Sequence, residues 1–162
     1  MRKVIISFLL IALLSFSVFS LDIFYDSFDN NLARLNGWKE SSATNVTLYT
    51  GSYKVGAAAM QIKYNANVIA YINTAPYKNM KLTYRMAKYS LETGEKLVCQ
   101  YDIGAGWVTA ATLLNTASSG TYTSYTTTIP NANVLKVRFI LNESATDDYG
   151  YVDEVKLVGD RK

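Results

Sequence analysis

The chain contains no histidine and a single cysteine, Cys99, among its 162 residues. Lack of histidine removes the commonest general base and the commonest metal ligand, and neither a Ser-His-Asp nor a Cys-His arrangement can be built. One cysteine excludes an intrachain disulfide. Proline is scarce, at two residues, and charged residues make up only 18%. The 16 Lys and Arg nearly balance 13 Asp and Glu, for a net charge of +3. That balance argues against a nucleic-acid binder that neutralises many phosphates, and it leaves no polybasic patch for an anionic membrane. No glycine-rich phosphate loop and no zinc-ligand spacing occurs. Glu40, Glu92, Glu95 and Glu143 read as loop or strand-end residues, outside any apolar run that would raise their pKa. A two-carboxylate glycoside hydrolase is therefore not indicated.

What is abundant is aromatic: 13 Tyr, six Phe and two Trp in a chain that is 49% hydrophobic. Such a composition describes a folded globular chain of one domain. Met1-Arg-Lys3 is a short basic opening, followed by a largely apolar Val4–Leu14 and by Ser15, Ser17 and Ser20. This layout predicts a secretory signal peptide over residues 1–20 and a single domain over 21–162. The alternative, a membrane anchor, would use Val4–Phe19, which is shorter than the ~20 residues a span requires. No second apolar run reaches that length, so the mature chain is expected to have no membrane span. Without Arg2 and Lys3 the mature charge falls to +1, fourteen cations against thirteen anions. Asn45-Val-Thr47 and Asn142-Glu-Ser144 are N-glycosylation sequons, meaningful only in a eukaryotic host.

From residue 44 onward the hydrophobic period is two. Leu82, Tyr84 and Met86 alternate with Lys81, Thr83 and Arg85; Leu97, Cys99 and Tyr101 alternate with Val98, Gln100 and Asp102. In Val134–Asn142, the residues Leu135, Val137, Phe139 and Leu141 alternate with Lys136, Arg138, Ile140 and Asn142. An apolar face and a mixed face on each segment predict half-buried antiparallel strands. Further strands are expected at Val46–Thr50, Ala57–Tyr64, Val68–Asn73, Trp107–Leu114, Tyr122–Ile129 and Tyr151–Val158, all rich in residues that suit a pleated surface. Asn31–Leu35 alone could form a helical turn. Nine or ten short strands separated by Gly-containing turns predict an all-β fold, a two-sheet antiparallel β-sandwich.

Four short segments in order resemble those of secreted jelly-roll modules. Tyr25-Asp-Ser-Phe-Asp29 with Asn36-Gly-Trp38 resembles their acidic-Phe-acidic and Gly-Trp opening. Tyr49-Thr-Gly-Ser-Tyr53 leading to Ala58–Ile62, the Tyr101–Trp107 hairpin, and Tyr149-Gly-Tyr-Val-Asp-Glu-Val155 resemble the later segments. The group is the galactose-binding-like jelly rolls, namely carbohydrate-binding modules and MAM-type domains. The resemblance implies an extracellular, non-catalytic binding or adhesion module whose partner is a glycan or another extracellular surface ligand. It also implies a structural calcium joining the first strand to the last. The chain departs from MAM domains in lacking paired cysteines.

On this resemblance Asp26 and Asp153 are the expected calcium ligands, with Asp29 a possible extra carboxylate and the Gly51–Lys54 carbonyls completing the oxygen shell. The plainer reading leaves Asp26 solvated or capping a turn and Asp153 an outward strand residue, and makes Asp147-Asp148 a hairpin turn. Arg85, Gln100, Arg138 and Asn142 are expected on one polar sheet face, with Tyr71, Tyr89 and Trp107 flanking it. Planar hydrogen-bonding groups beside an aromatic ring are what sugar recognition needs. The competing reading is a solvated face with Asp102–Arg138 or Asp102–Arg85 pairs, and with Trp38 and Trp107 as core plugs. Cys99, between Leu97 and Tyr101 in the alternation, is expected to be buried and inert. A structural or adhesion subunit of an extracellular matrix or filament is the alternative function, with Ile140 in a patch for self-association.

Overall fold

A computed structural model describes residues 20–29, 37–143 and 145–162, and the expected signal peptide and the helical turn at 31–35 lie outside them. Among the described residues there are eleven strands and no helix. They are β1 (Leu21–Asp26), β2 (Trp38–Glu40), β3 (Val46–Tyr49), β4 (Ala59–Ile62), β5 (Asn67–Asn73) and β6 (Tyr77–Tyr89). The rest are β7 (Lys96–Asp102), β8 (Val108–Leu114), β9 (Thr123–Ile129), β10 (Val134–Asn142) and β11 (Tyr149–Arg161). Segments with the cleanest two-residue alternation, β7 and β10, have the expected boundaries. Pro76 immediately precedes β6 and Pro130 immediately follows β9, where a missing N–H disturbs no ladder.

All pairings are antiparallel and form two sheets. The first runs β3-β4-β11-β6-β9, with β1 also on β11; the second runs β2-β5-β10-β7-β8. Strand β11 is shared lengthwise: Gly150–Val152 pair with β4, Val155–Gly159 pair with β1, and β6 lies along the opposite edge. At the changeover the register shifts after Asp153, and Glu154 takes a positive φ of 48°.

The inward halves of the alternation meet as one core. Leu135, Val137, Phe139 and Leu141 from the second sheet face Met80, Leu82, Tyr84 and Met86 from the first, all essentially inaccessible. Trp38 is the aromatic hub, with ring centroids of Phe24, Phe28 and Phe139 at 5.7, 6.2 and 5.9 Å. Cys99 is fully buried, and that burial pushes its thiol up to about 12, so it stays protonated. Tyr49, Tyr53, Tyr89, Tyr149 and Tyr151 form a linked aromatic cluster with centroid spacings of 5.0–6.3 Å.

Candidate functional site

Residues directly opposite each other on antiparallel strands project from the same side of the sheet. On the second sheet this places Lys39, Ile69, Arg138, Gln100 and Thr109 in one row crossing all five strands on the outer face. At about 4.8 Å per strand the row is roughly 19 Å long, the scale of a short oligomer. A neighbouring row carries Tyr71, Lys136 and Asp102, and Tyr71 is 55% exposed. Asn142 lies on the same face beside Lys96, four residues and roughly 13 Å along β10 from Arg138.

Arg138 is held on this face from two sides. Its guanidinium carbon lies 4.0 Å from the ring centroid of Trp107, just before β8. Its Nε donates to Oε1 of Gln100 at 2.8 Å, and the Gln100 amide donates in turn to Thr109 Oγ1 at 3.1 Å. Three adjacent strands therefore hold one planar cation in place, with the indole as a backing plate. Burial lowers the Arg138 pKa from its ordinary value, and the Asp102 charge opposes that shift. Trp107 is half-buried and outside the core, unlike Trp38.

The carboxylate of Asp102 is committed elsewhere. Its Oδ1 accepts from the Gly104 and Gly106 amides at 2.7 and 3.1 Å, and its Oδ2 lies 3.0 Å from Lys136 Nζ. Positive φ values of 105° and 100° at Gly104 and Gly106 are what aim both amides at one oxygen. The Gly104 amide and then the Lys136 ammonium hold Asp102 below its ordinary range. A cleft of about 330 Å³ opens beside this pair, lined by Asp102, Lys136, Asn131 and Asn133 among others. The two asparagine amides were not singled out in the sequence, because loop residues carry no alternation to mark them.

Two expected members of the face are elsewhere. Arg85 and Tyr89 belong to β6 in the first sheet. Arg85 pairs with Glu154 at 2.6 Å, and Tyr89 joins the tyrosine cluster. The cross-strand partner of Asp102 is Lys136, not either arginine. Of the sequon asparagines, Asn142 is exposed on the second sheet and Asn45 is half-buried, its carbonyl accepting from the Lys63 amide.

The acidic residues divide into three places. Asp26 accepts from the Phe28 amide at 2.8 Å and from the Trp38 indole N–H at 2.9 Å, and burial raises its pKa. Asp153 is fully buried, with Oδ2 accepting from the Val55 amide and Oδ1 from the Glu154 amide, at 2.7 and 2.8 Å. Burial pushes its carboxyl up to about 6, and the nearby Asp29 charge adds to the rise. Asp29 takes the Ala57 and Ala58 amides. So Asp29 and Asp153 grip the two ends of residues 55–58, while Asp26 is occupied by Trp38. Among the described residues no three acidic side chains gather as a metal cage. The Asp29 charge adds to the cost of ionising the buried Asp153, a cost that a hard cation completed by carbonyls and water would offset.

The third place is one end of the core. Asp148 is 1% exposed, not an open hairpin turn, and burial followed by the Glu95 charge pushes it up to about 6. Glu95 and Glu143 are buried as well. The inward phase of Leu97, Leu141 and Gly150 simply continues two residues further on each strand. Glu143 is clasped by Asn65, whose amide and side chain both bond to it.

No family model matches this chain, and no curated protein matches it in sequence. Its fold is shared with solved carbohydrate-binding modules. The C-terminal family 22 module of Clostridium thermocellum Xyn10B aligns at 13% identity and TM-score 0.61, over 86% of this chain and 94% of that one. The TmCBM61 module, solved with β-1,4-galactotriose, aligns at 14% identity and TM-score 0.60, over 78% and 90%. The mannan-recognising TmCBM27 module aligns at 14% identity and TM-score 0.57, over 86% and 98%. The two-sheet antiparallel sandwich expected from the alternation is thus the architecture found, and it is the fold of the modules that the resemblance pointed to.

Proposed function

We propose that this protein is a secreted, non-catalytic module that binds a glycan on the outer face of its second sheet. The observation that carries the reading is Arg138, stacked on Trp107 and tethered to Gln100 on an open face. A polar group immobilised before the ligand arrives loses little entropy on binding, which is how a shallow site gains affinity. Tyr71 supplies an exposed ring beside it, and Asn142 a planar amide further along. The shared fold supports the reading, since its similar structures include modules solved with galactotriose or concerned with xylan and mannan.

Absence of chemistry is part of the proposal. Asp148, whose carboxyl is pushed up to about 6 by burial and then by the Glu95 charge, is shut inside the core, where no glycosidic bond can reach it. Export is supported by the basic and apolar opening of the sequence. A structural calcium completes the reading, with Asp29 and Asp153 as its carboxylates. The ion would supply the positive charge that their mutual repulsion calls for.

The test is a titration of the purified protein against galactan, xylan, mannan and polyuronate. Binding to one of them, lost in Arg138→Ala without a change in melting temperature, is the expected result. A protein that binds none of the panel overturns the reading.

A further inference from the structure

The outer face of the second sheet is cationic although the chain is nearly neutral. Lys39, Lys96, Lys136 and Arg138 project from it. Among the strand residues of this sheet the acidic ones are Asp102 and Glu40. Glu40 follows Lys39 and so takes the opposite side of the pleat. Asp102 is neutralised by Lys136 and by two amides. Among the described strand residues this leaves the proposed binding face net positive, through Lys39, Lys96 and Arg138.

The use made of Trp107 points the same way. A neutral sugar stacks its C–H face on a bare ring face, but one face of Trp107 is taken by the guanidinium, 4.0 Å from the centroid. The side chain of Arg138 meets the protein through Nε and through the ring. Among the described residues its two terminal nitrogens make no other hydrogen bond. A planar fork of N–H donors, backed by an indole and facing outward, matches a carboxylate bidentately. A lysine at this position would supply charge without that geometry.

We infer that the ligand is an acidic polysaccharide, a uronic-acid polymer whose sugar carboxylate docks on the Arg138 fork while Lys39 and Lys96 attract the carboxylates of neighbouring units. This rests on the glycan-binding reading of the same face and narrows its ligand class. The carboxylate is one substituent of an otherwise neutral ring, so Tyr71 keeps a role in stacking.

Polygalacturonate and its fully methyl-esterified form share a backbone and differ in charge, which makes them the deciding pair. Affinity electrophoresis and titration calorimetry with the purified protein should show binding to the acid. The ester should bind at least about tenfold more weakly, as expected for loss of a charge-assisted bidentate contact. Raising salt from about 20 mM to about 500 mM should weaken the acid form markedly. Arg138→Lys, which keeps the charge and removes the fork, should lose about tenfold, and Arg138→Ala should lose more. Circular dichroism melting of both variants should match the parent. Equal binding of the acid and the ester overturns the inference and leaves glycan binding standing. Tighter binding of dextran sulfate or of polyaspartate than of polygalacturonate overturns it too, assigning the face to sulfate or to charge alone. Failure to bind any polysaccharide, neutral or acidic, removes both this inference and the reading beneath it.

Discussion

The indole N–H of Trp38 donates to Oδ2 of Asp26 at 2.9 Å, so the hub of the aromatic core is tied to the end of the first strand by a carboxylate. The other oxygen of that carboxylate takes the Phe28 amide, which turns the chain so that the Phe28 ring reaches Trp38. One acidic side chain thereby orients two aromatic rings.

Asp26→Ala should cost about 2 kcal/mol, the loss of two hydrogen bonds to a charged acceptor with a buried indole N–H left unpaired. Asp26→Asn should cost less, because its carbonyl oxygen can keep one of the two donors. Urea midpoints of both variants at unchanged slope provide the measurement. Equal stability of Asp26→Ala and the parent would show the clasp to be energetically idle.

Ligand binding should discriminate between the two sheets. Tyr71→Ala should weaken it about tenfold, in the range seen for an exposed aromatic contact. Trp107→Ala should also weaken it, by leaving Arg138 unsupported. Arg85→Ala should leave affinity unchanged, since Arg85 sits on the other sheet in a pair with Glu154. A loss of binding in Arg85→Ala would put the ligand on the wrong side of the molecule for the face described.

Stability should respond to pH in an uncommon direction. Asp148 and Asp153, ordinarily near 3.8, are both raised to about 6 by burial. Between about pH 4 and pH 6 the folded chain therefore holds protons that the unfolded chain has released. Their contribution is fully present below the unfolded value and fades as pH rises through the folded one. Asp102, held low, works oppositely, and its contribution is lost only as pH falls below its ordinary range. The melting temperature, measured without divalent cations, should be higher at pH 5 than at pH 8. Asp148→Asn should flatten that slope, and a profile rising steadily toward alkaline pH would contradict the assignment.

Calcium should reverse part of this behaviour. An ion between Asp29 and Asp153 favours their ionised forms, so its stabilisation should be larger at pH 8 than at pH 5. Melting with saturating calcium and with chelator, at both pH values, measures this. Asp153→Asn and Asp29→Asn should each remove the calcium response. No shift between calcium and chelator at pH 8 would strike the ion from the account.

The sequence showed the strands more clearly than it showed their neighbours. In β7 and β10 the apolar period is unbroken, and their inward residues and boundaries could be read directly. That period is the same in either sheet, however, so nothing in Lys81–Ala87 distinguishes it from Val134–Asn142. Arg85 was for that reason placed beside Gln100 and Arg138 when the sheet order separates them. Burial of Glu95, Glu143 and Asp148 escaped notice because acidic residues at strand ends normally reach water. Their positions continue the two-residue phase of Leu97, Leu141 and Gly150, and that phase was the available signal. Trp38 and Trp107 looked alike in sequence, and only the closure of the sandwich made one a core plug and the other a support for arginine.

Strand β11 has a consequence for how a chain made from its amino end acquires this shape. Until Tyr149–Arg161 emerges from the ribosome, β3 with β4 and β6 with β9 are two separate ribbons, and β1 has no partner at all. The other sheet is complete once β10 is out, so assembly during synthesis is ordered, with one layer formed before the other can be zipped. A chain synthesised slowly would leave the apolar sides of those waiting ribbons uncovered until the thirteen-residue β11 closes them together.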